Sequence, residues 1–283
     1  MAEQLIVPKT STADLIGLGR LAAVTEGRAE VVIGLLDGPV AEHPDFAGDH
    51  IRAPWLADAT GAAAAHGTHV AGILLARRGA TAPAICPGCT LLSRPIFTGA
   101  ATTTTAADLA DGIIDCVRAG AHVLNISAAL TGLTPVGARR LAESLDFAMH
   151  AGVLVVAAAG NGGQVGGSAL TRHPWVIPVV AYDGAAPLPG SDVSASIGRR
   201  GLGAPGSAVV SLAPGGDYAS SSGTSTACPF VTGTVALLLS SLPGATGAGV
   251  RSALINAGVA RRRGVIPPLL DAWRAYRLLA GER

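Results

Sequence analysis

The sequence predicts an α/β fold, a mostly parallel sheet with helices on both faces, contained in a single domain. Three observations predict it. Apolar runs of strand length alternate with helical patterns along most of the chain, the mark of consecutive β–α units. Of the 283 residues 49% are hydrophobic and only 14% charged, enough apolar surface for one large core. No repeat or low-complexity linker divides the chain, and its 38 glycines fit close helix–sheet packing with tight turns.

Residues 1–29 read as an N-terminal extension packing on the domain, with a helical pattern over 13–23 that Ser11 or Thr12 would cap. Residues 30–283 make up the domain itself. It opens with Glu30-Val-Val-Ile-Gly-Leu-Leu36, an apolar run that ends at Asp37 and the turn Gly38-Pro39. An acid at the carboxyl end of a buried strand stands where open α/β sheets keep functional groups, although Asp37 alone would serve equally to cap the turn. After the polar loop 42–46 comes Ala65-His66-Gly-Thr-His69-Val-Ala-Gly-Ile-Leu-Leu-Ala76, read as a buried helix from Thr68 onward with His66 at its entrance. Two histidines three apart can share a metal on one helical face, but no third ligand stands out nearby. His66 is the better general-base candidate, and His69 a residue that hydrogen-bonds within the core.

The loop 77–90 carries Cys86-Pro-Gly-Cys89. With no second such pair a zinc site is disfavoured, while reduced thiols and a disulfide to Cys116 both stay open. Further strands are predicted over 91–97, 121–127, 153–159 and 175–181, with helices over 106–119 and 135–151 that Gly120 and Gly152 stop. Asn161 follows the strand 153–159 in a glycine turn, as a turn residue or as an amide donor. Residues 183–221, rich in Gly, Pro, Ser and Asp, read as surface loops and short strands. Then Ser222-Gly-Thr-Ser225-Thr-Ala-Cys228-Pro229 leads into an apolar run that reads as a buried helix. Ser225 therefore sits near a helix N-terminus, where unpaired N–H groups favour negative charge. Helices near 250–255 and over 269–279 close the chain.

Each of Asp37, His66, Asn161 and Ser225 has an ordinary structural reading by itself. Together they supply an orienting acid, a general base, an oxyanion donor and a nucleophile, the set that acyl transfer at serine requires. Cys228, on a helix apolar all round, is a small packing residue rather than a rival nucleophile. A net charge of +1 gives no argument for nucleic acid or an anionic membrane as partner. No uninterrupted apolar run is long enough to span a bilayer, and the N-terminus has no secretory signal pattern. Four cysteines in a chain of this size do not make a disulfide framework, so a cytoplasmic enzyme is expected.

The blocks around Asp37, His66-Gly-Thr-His-Val-Ala-Gly72, Ala158-Ala-Gly-Asn161 and Gly223-Thr-Ser-Thr-Ala-Cys-Pro229 resemble the four signature blocks of the subtilisin-like serine proteases. The order Asp, His, Ser is the subtilisin order. The resemblance implies a doubly wound sheet and peptide-bond hydrolysis through an acyl-enzyme, with Ser225 as nucleophile, His66 as base and Asp37 as its orienting acid. Asn161 and the Ser225 backbone N–H would form the oxyanion hole. Ser127, Ala128 and Ala129 would pair with an extended peptide, and Ala158, Ala159 and Gly160 would line the opposite wall of the first specificity pocket. About 36 residues precede Asp37, too few for the prodomain of secreted relatives, so unaided intracellular folding is expected. Bacterial subtilisins carry a calcium loop after the histidine helix. Here Arg77-Arg78 stand there, and calcium wants oxygen ligands, so that site is expected to be absent and no cofactor is implied. Leu36-Asp-Gly-Pro-Val40, His43-Pro44, Phe46 and Cys89 resemble the branch that matures cyanobactin-type ribosomal peptides. Macrocyclising members carry a helical insertion between Asp and His, for which the 29 positions here leave no room. The expected substrate is thus a precursor peptide whose leader or recognition sequence is removed by hydrolysis. A general intracellular subtilase and an inert binding module are the competing expectations.

Overall fold

The structure is a computed structural model that describes residues 12–258 and 264–282. Ser11, one of the two expected caps, lies outside the described residues.

Two short helices, α1 (Thr12–Leu15) and α2 (Leu18–Ala22), precede strand β1 (Val32–Asp37) and the two-residue β2 (Ile51–Arg52). Helix α3 (Gly61–Leu75), β3 (Thr90–Pro95), β4 (Thr103–Thr105), α4 (Ala106–Arg118), β5 (Val123–Ile126) and β6 (Ala129–Thr131) follow. Next come α5 (Pro135–His150), β7 (Leu154–Ala158), α6 (Ala169–Arg172), β8 (Val176–Asp183) and β9 (Ala186–Pro187). The chain continues through α7 (Ala195–Arg200), β10 (Leu202–Pro205), β11 (Val209–Ala213), β12 (Asp217–Ser221), α8 (Thr224–Ser241), α9 (Gly247–Ala257) and α10 (Ala272–Ala280).

The central sheet has the order β10-β8-β7-β5-β1-β3-β2, with β9 added antiparallel on β8 and every other pairing parallel. The chain steps from β1 to β3 on one side and then to β5 on the other, so its direction of winding reverses at β1. Open α/β sheets have their crevice at such a reversal, outside the carboxyl ends of the strands.

Strand alternation divides the core in two. Ile33 and Leu35 of β1, Val123, Leu154 and Val156 face the layer of α3, α8, α9 and α10. Leu36, Leu124, Ile126, Val155 and Ala157 face α4 and α5. Helix α8 touches β5, β7, β8 and β10 on one side and α2, α3 and α9 on the other. Its apolar residues are consequently buried all round, whereas α4 and α5 bury one stripe each.

Two expectations change, and one choice left open is decided. Helix α3 begins at Gly61, because the alanines at 62–65 are strong helix formers, so His66 lies inside the helix rather than at its entrance. Residues 183–221 contain a buried sheet strand, β10, hidden from sequence reading by Gly203 and Pro205; the Tyr182 ring lies so close that a Cβ at 203 would come within 2.2 Å of it. All four cysteines are free and buried. Cys116 lies on the opposite face of the sheet from Cys86 and Cys89, which rules out the disulfide to Cys116.

Candidate active site

The site assembles at the carboxyl edge of the sheet. Asp37 ends β1 and is fully buried. Its Oδ1 accepts hydrogen bonds from the Gly38 N–H and from His66 Nδ1, each at 2.6 Å. Two glycines make the approach of α3 to β1 possible. A Cβ at 38 would lie 2.0 Å from the Ala63 carbonyl, and one at 67 would lie 2.3 Å from the Gly38 carbonyl. With Nδ1 committed to Asp37, Nε2 is the nitrogen His66 offers to a substrate or nucleophile. Burial would push the His66 imidazole down, but the charge of Asp37 and its hydrogen bond outweigh it, so the pKa is raised above the ordinary value.

Ser225 is the second residue of α8. Gly223, at φ +135°, turns the chain from β12 into the helix in a conformation few other residues adopt. Helix geometry leaves the Ser225 N–H without an intrahelical acceptor. The Thr224 N–H instead donates to Asn161 Oδ1 at 2.9 Å. Because a backbone N–H can only donate, that bond fixes the amide so that its NH₂ is free on the cleft side. Thr224 Oγ1 in turn accepts from the Gly160 N–H at 3.2 Å, which holds the Asn161 turn against the start of α8.

Behind the serine lies a relay that is buried at its inner end. Thr232 Oγ1 donates to Asn125 Oδ1 at 2.8 Å, Asn125 Nδ2 to Ser127 Oγ at 2.9 Å, and Ser127 Oγ to the Ser225 carbonyl at 3.2 Å. Pro229 makes the last bond available: it has no N–H to offer the carbonyl four residues earlier, so Ser225 C=O is left for the Ser127 hydroxyl. A proline inside the helix thus supplies the acceptor through which the end of β5 grips it.

His66, Ser225 and Asn161 share a cleft of about 520 Å³. Its lining includes Ser127, Ala128, Ala129, Ala158 and Gly160, together with Thr102, Thr103, Gly162, Ser221, Ser222 and Thr224. Apart from the His66 imidazole, no ionisable side chain among the described residues lines it. Ala159 is the exception to the expected set: alternation along the strand end turns it away from the cleft, into a cluster with Val180, Tyr182 and Ile197. His69 donates from Nε2 to the Val209 carbonyl at 3.1 Å, and burial lowers its pKa. Burial pushes the Cys228 thiol up to about 12, which removes it as a nucleophile at neutral pH. Thr224, Asn125 and Thr232 escaped the sequence reading. The one available signal was Asn125, an amide set inside the apolar strand Val-Leu-Asn-Ile.

A doubly wound sheet with an Asp–His pair and a helix-terminal serine at its carboxyl edge has the architecture of a serine hydrolase. The chain belongs to the subtilase family, the subtilisin-like serine peptidases, whose model matches residues 28–267. Subtilisin DY of Bacillus licheniformis is 33% identical, over 80% of this chain and 82% of its own length. Among solved structures, the prenylagaramide maturation protease PagA superposes with a TM-score of 0.85 at 28% identity, covering 94% of this chain and 99% of that one. The self-cleaved protease domain of PatA gives 0.80 at 35% identity, covering 91% and 99%.

Proposed function

We propose that this subtilase removes a leader or recognition sequence from a ribosomally made precursor peptide. The observation that carries the reading is the Asp37–His66 pair, 2.6 Å apart, beside a cleft shared with Ser225 and Asn161. His66 takes the proton of the Ser225 hydroxyl as its oxygen attacks the scissile carbonyl. Asp37 keeps the imidazole in the right tautomer and stabilises the imidazolium. The Ser225 N–H and Asn161 Nδ2–H₂ receive the tetrahedral oxyanion, and His66 then returns the proton to the departing amine. Water, activated by His66, resolves the acyl-enzyme.

The peptide-maturation role is supported by the likeness to PagA and PatA over nine-tenths of the chain. Hydrolysis rather than cyclisation is supported by the short path from Asp37 to α3, where β2 is the sole regular element among the described residues. The alanine- and glycine-walled cleft favours an uncharged residue before the scissile bond, since a charge there would lose its hydration without a partner. Four free, buried thiols fit a reducing cytoplasm. No helix among the described residues is long and apolar enough to cross a membrane. Calcium independence is supported by Arg77, in the loop after α3, whose guanidinium sits on Asp45.

The test is competitive proteolysis. The enzyme is incubated with casein and with a precursor peptide encoded beside its gene, and cleavage is followed by mass spectrometry. One dominant cut at the leader or recognition boundary, with casein left largely intact, is expected. Comparable digestion of both would instead make it a general protease.

A further inference from the structure

The β11–β12 hairpin forms a two-stranded sheet of its own, off the central sheet, and β12 is almost wholly exposed. A two-stranded hairpin is marginally stable alone, so its position is set by what it is tied to. The position matters because β12 runs directly into Ser222, Gly223 and the start of α8. One tie leads to α3: the His69 ring holds the Val209 carbonyl, and Ser211 Oγ donates to the His69 carbonyl at 2.8 Å. The other tie converges on Asp45, in the loop between β1 and β2.

Asp45 uses every hydrogen-bonding group it has. Its N–H donates to His43 Nδ1 at 3.0 Å, and its carbonyl accepts the Arg77 N–H at 2.7 Å. One carboxylate oxygen receives the Arg77 guanidinium at 2.5 Å, and the other receives the Tyr218 hydroxyl of β12. His43 completes the junction, donating from Nε2 to the Asp217 carbonyl at 3.0 Å with its ring edge-on to Tyr218. Arg77 lies two residues beyond α3, the helix that carries His66. A single carboxylate therefore joins the far end of the base's helix to the strand that delivers the serine. Its own loop follows β1, which ends in Asp37.

We propose that Asp45 is a positioning residue, which with Arg77 and Tyr218 forms a clasp that fixes the spacing between the His66 helix and the Ser225 turn. The proposal rests on His66 and Ser225 being the catalytic base and nucleophile. The clasp is charge-balanced and needs no bound ion, and it acts at a distance from the reacting atoms, through hairpin and helix. Losing it lets the hairpin shift as a unit, so the hydroxyl and imidazole meet in attack geometry less often, while the cleft that binds substrate stays built.

The test is inactivation by a fluorophosphonate in wild type, Tyr218→Phe, Asp45→Asn and the double variant, with melting temperature measured alongside. Tyr218→Phe keeps the ring and removes the hydroxyl alone. The expected result is a fivefold to tenfold fall in kinact with KI unchanged in each single variant. The double variant should be no worse than the weaker single one, because both changes open the same clasp. Unchanged kinact in folded Tyr218→Phe and Asp45→Asn overturns the proposal, as does a loss that merely follows the fraction of unfolded protein. Additive losses in the double variant also overturn it, since they mean two unrelated contacts. If wild type itself is not labelled, the catalytic reading fails rather than the clasp.

Discussion

At the scale of single residues, the Asp37–His66 contact decides the pH behaviour. The proposed mechanism needs a neutral His66, and its pKa stands above the ordinary imidazole value, so the acid limb of kcat/KM should lie above about pH 6.5. In Asp37→Asn the opposing charge is gone and burial alone acts, so that limb should move to lower pH while kcat falls on the order of 10⁴-fold. A pH–rate profile of the two proteins checks both. Linked to folding, the same raised pKa means that the pair stabilises the native state fully below about pH 6.5. That stabilisation fades as pH climbs through the higher folded value. Asn161→Ala should lower kcat by roughly 10²–10³ with little change in KM, a magnitude known from subtilisin, a member of the same family. These residues could be proposed from the sequence because the chemistry expected of them is tied to residue type and to short local motifs. Thr224 and Thr232 could not, since a threonine in a helix announces nothing until its partner arrives from a distant segment. Ala159 was misassigned for the same reason: only the pleat says which of Ala158 and Ala159 looks into the cleft.

At the scale of elements, α8 shows how position and stability are coupled. Leu238 is fully buried in the layer between the sheet and the outer helices. Leu238→Ala should reduce unfolding free energy by about 2–5 kcal/mol in chemical denaturation, from lost transfer energy and the cavity left behind. The same change lies more than three turns from Ser225, so kcat of the folded fraction should hold. The long apolar helices and the five long strands could be read from periodicity and length. What could not be read were boundaries and short strands. The start of α3 was lost in a run of alanines with no amphipathic contrast. β10 was lost because its Gly and Pro, normally turn residues, are there to admit the Tyr182 ring and to end a sheet strand. Pro229 looked like a tolerated irregularity and proved to be the source of a carbonyl that Ser127 uses.

At the scale of the whole molecule, a reversal of winding at β1 brings four distant segments to one edge of the sheet. Two core layers hold them there, with no disulfide among the four cysteines and an arginine on the loop after α3. Melting with and without EDTA should therefore give the same transition temperature, and a large chelator-dependent drop would contradict calcium independence. The doubly wound class was legible from the strand–helix alternation and the family motifs. The separate β11–β12 sheet was not, because its anchors, the buried Leu212 and several polar contacts, join segments more than a hundred residues apart.

The most direct measurement of the central claim, acyl transfer at Ser225 driven by His66 and Asp37, is mass spectrometry of the intact protein after a fluorophosphonate probe. A single adduct mapped to Ser225, absent in Ser225→Ala and slowed in His66→Ala, is the predicted result. Correctly folded protein that takes up no probe, or carries it on another residue, would contradict the account.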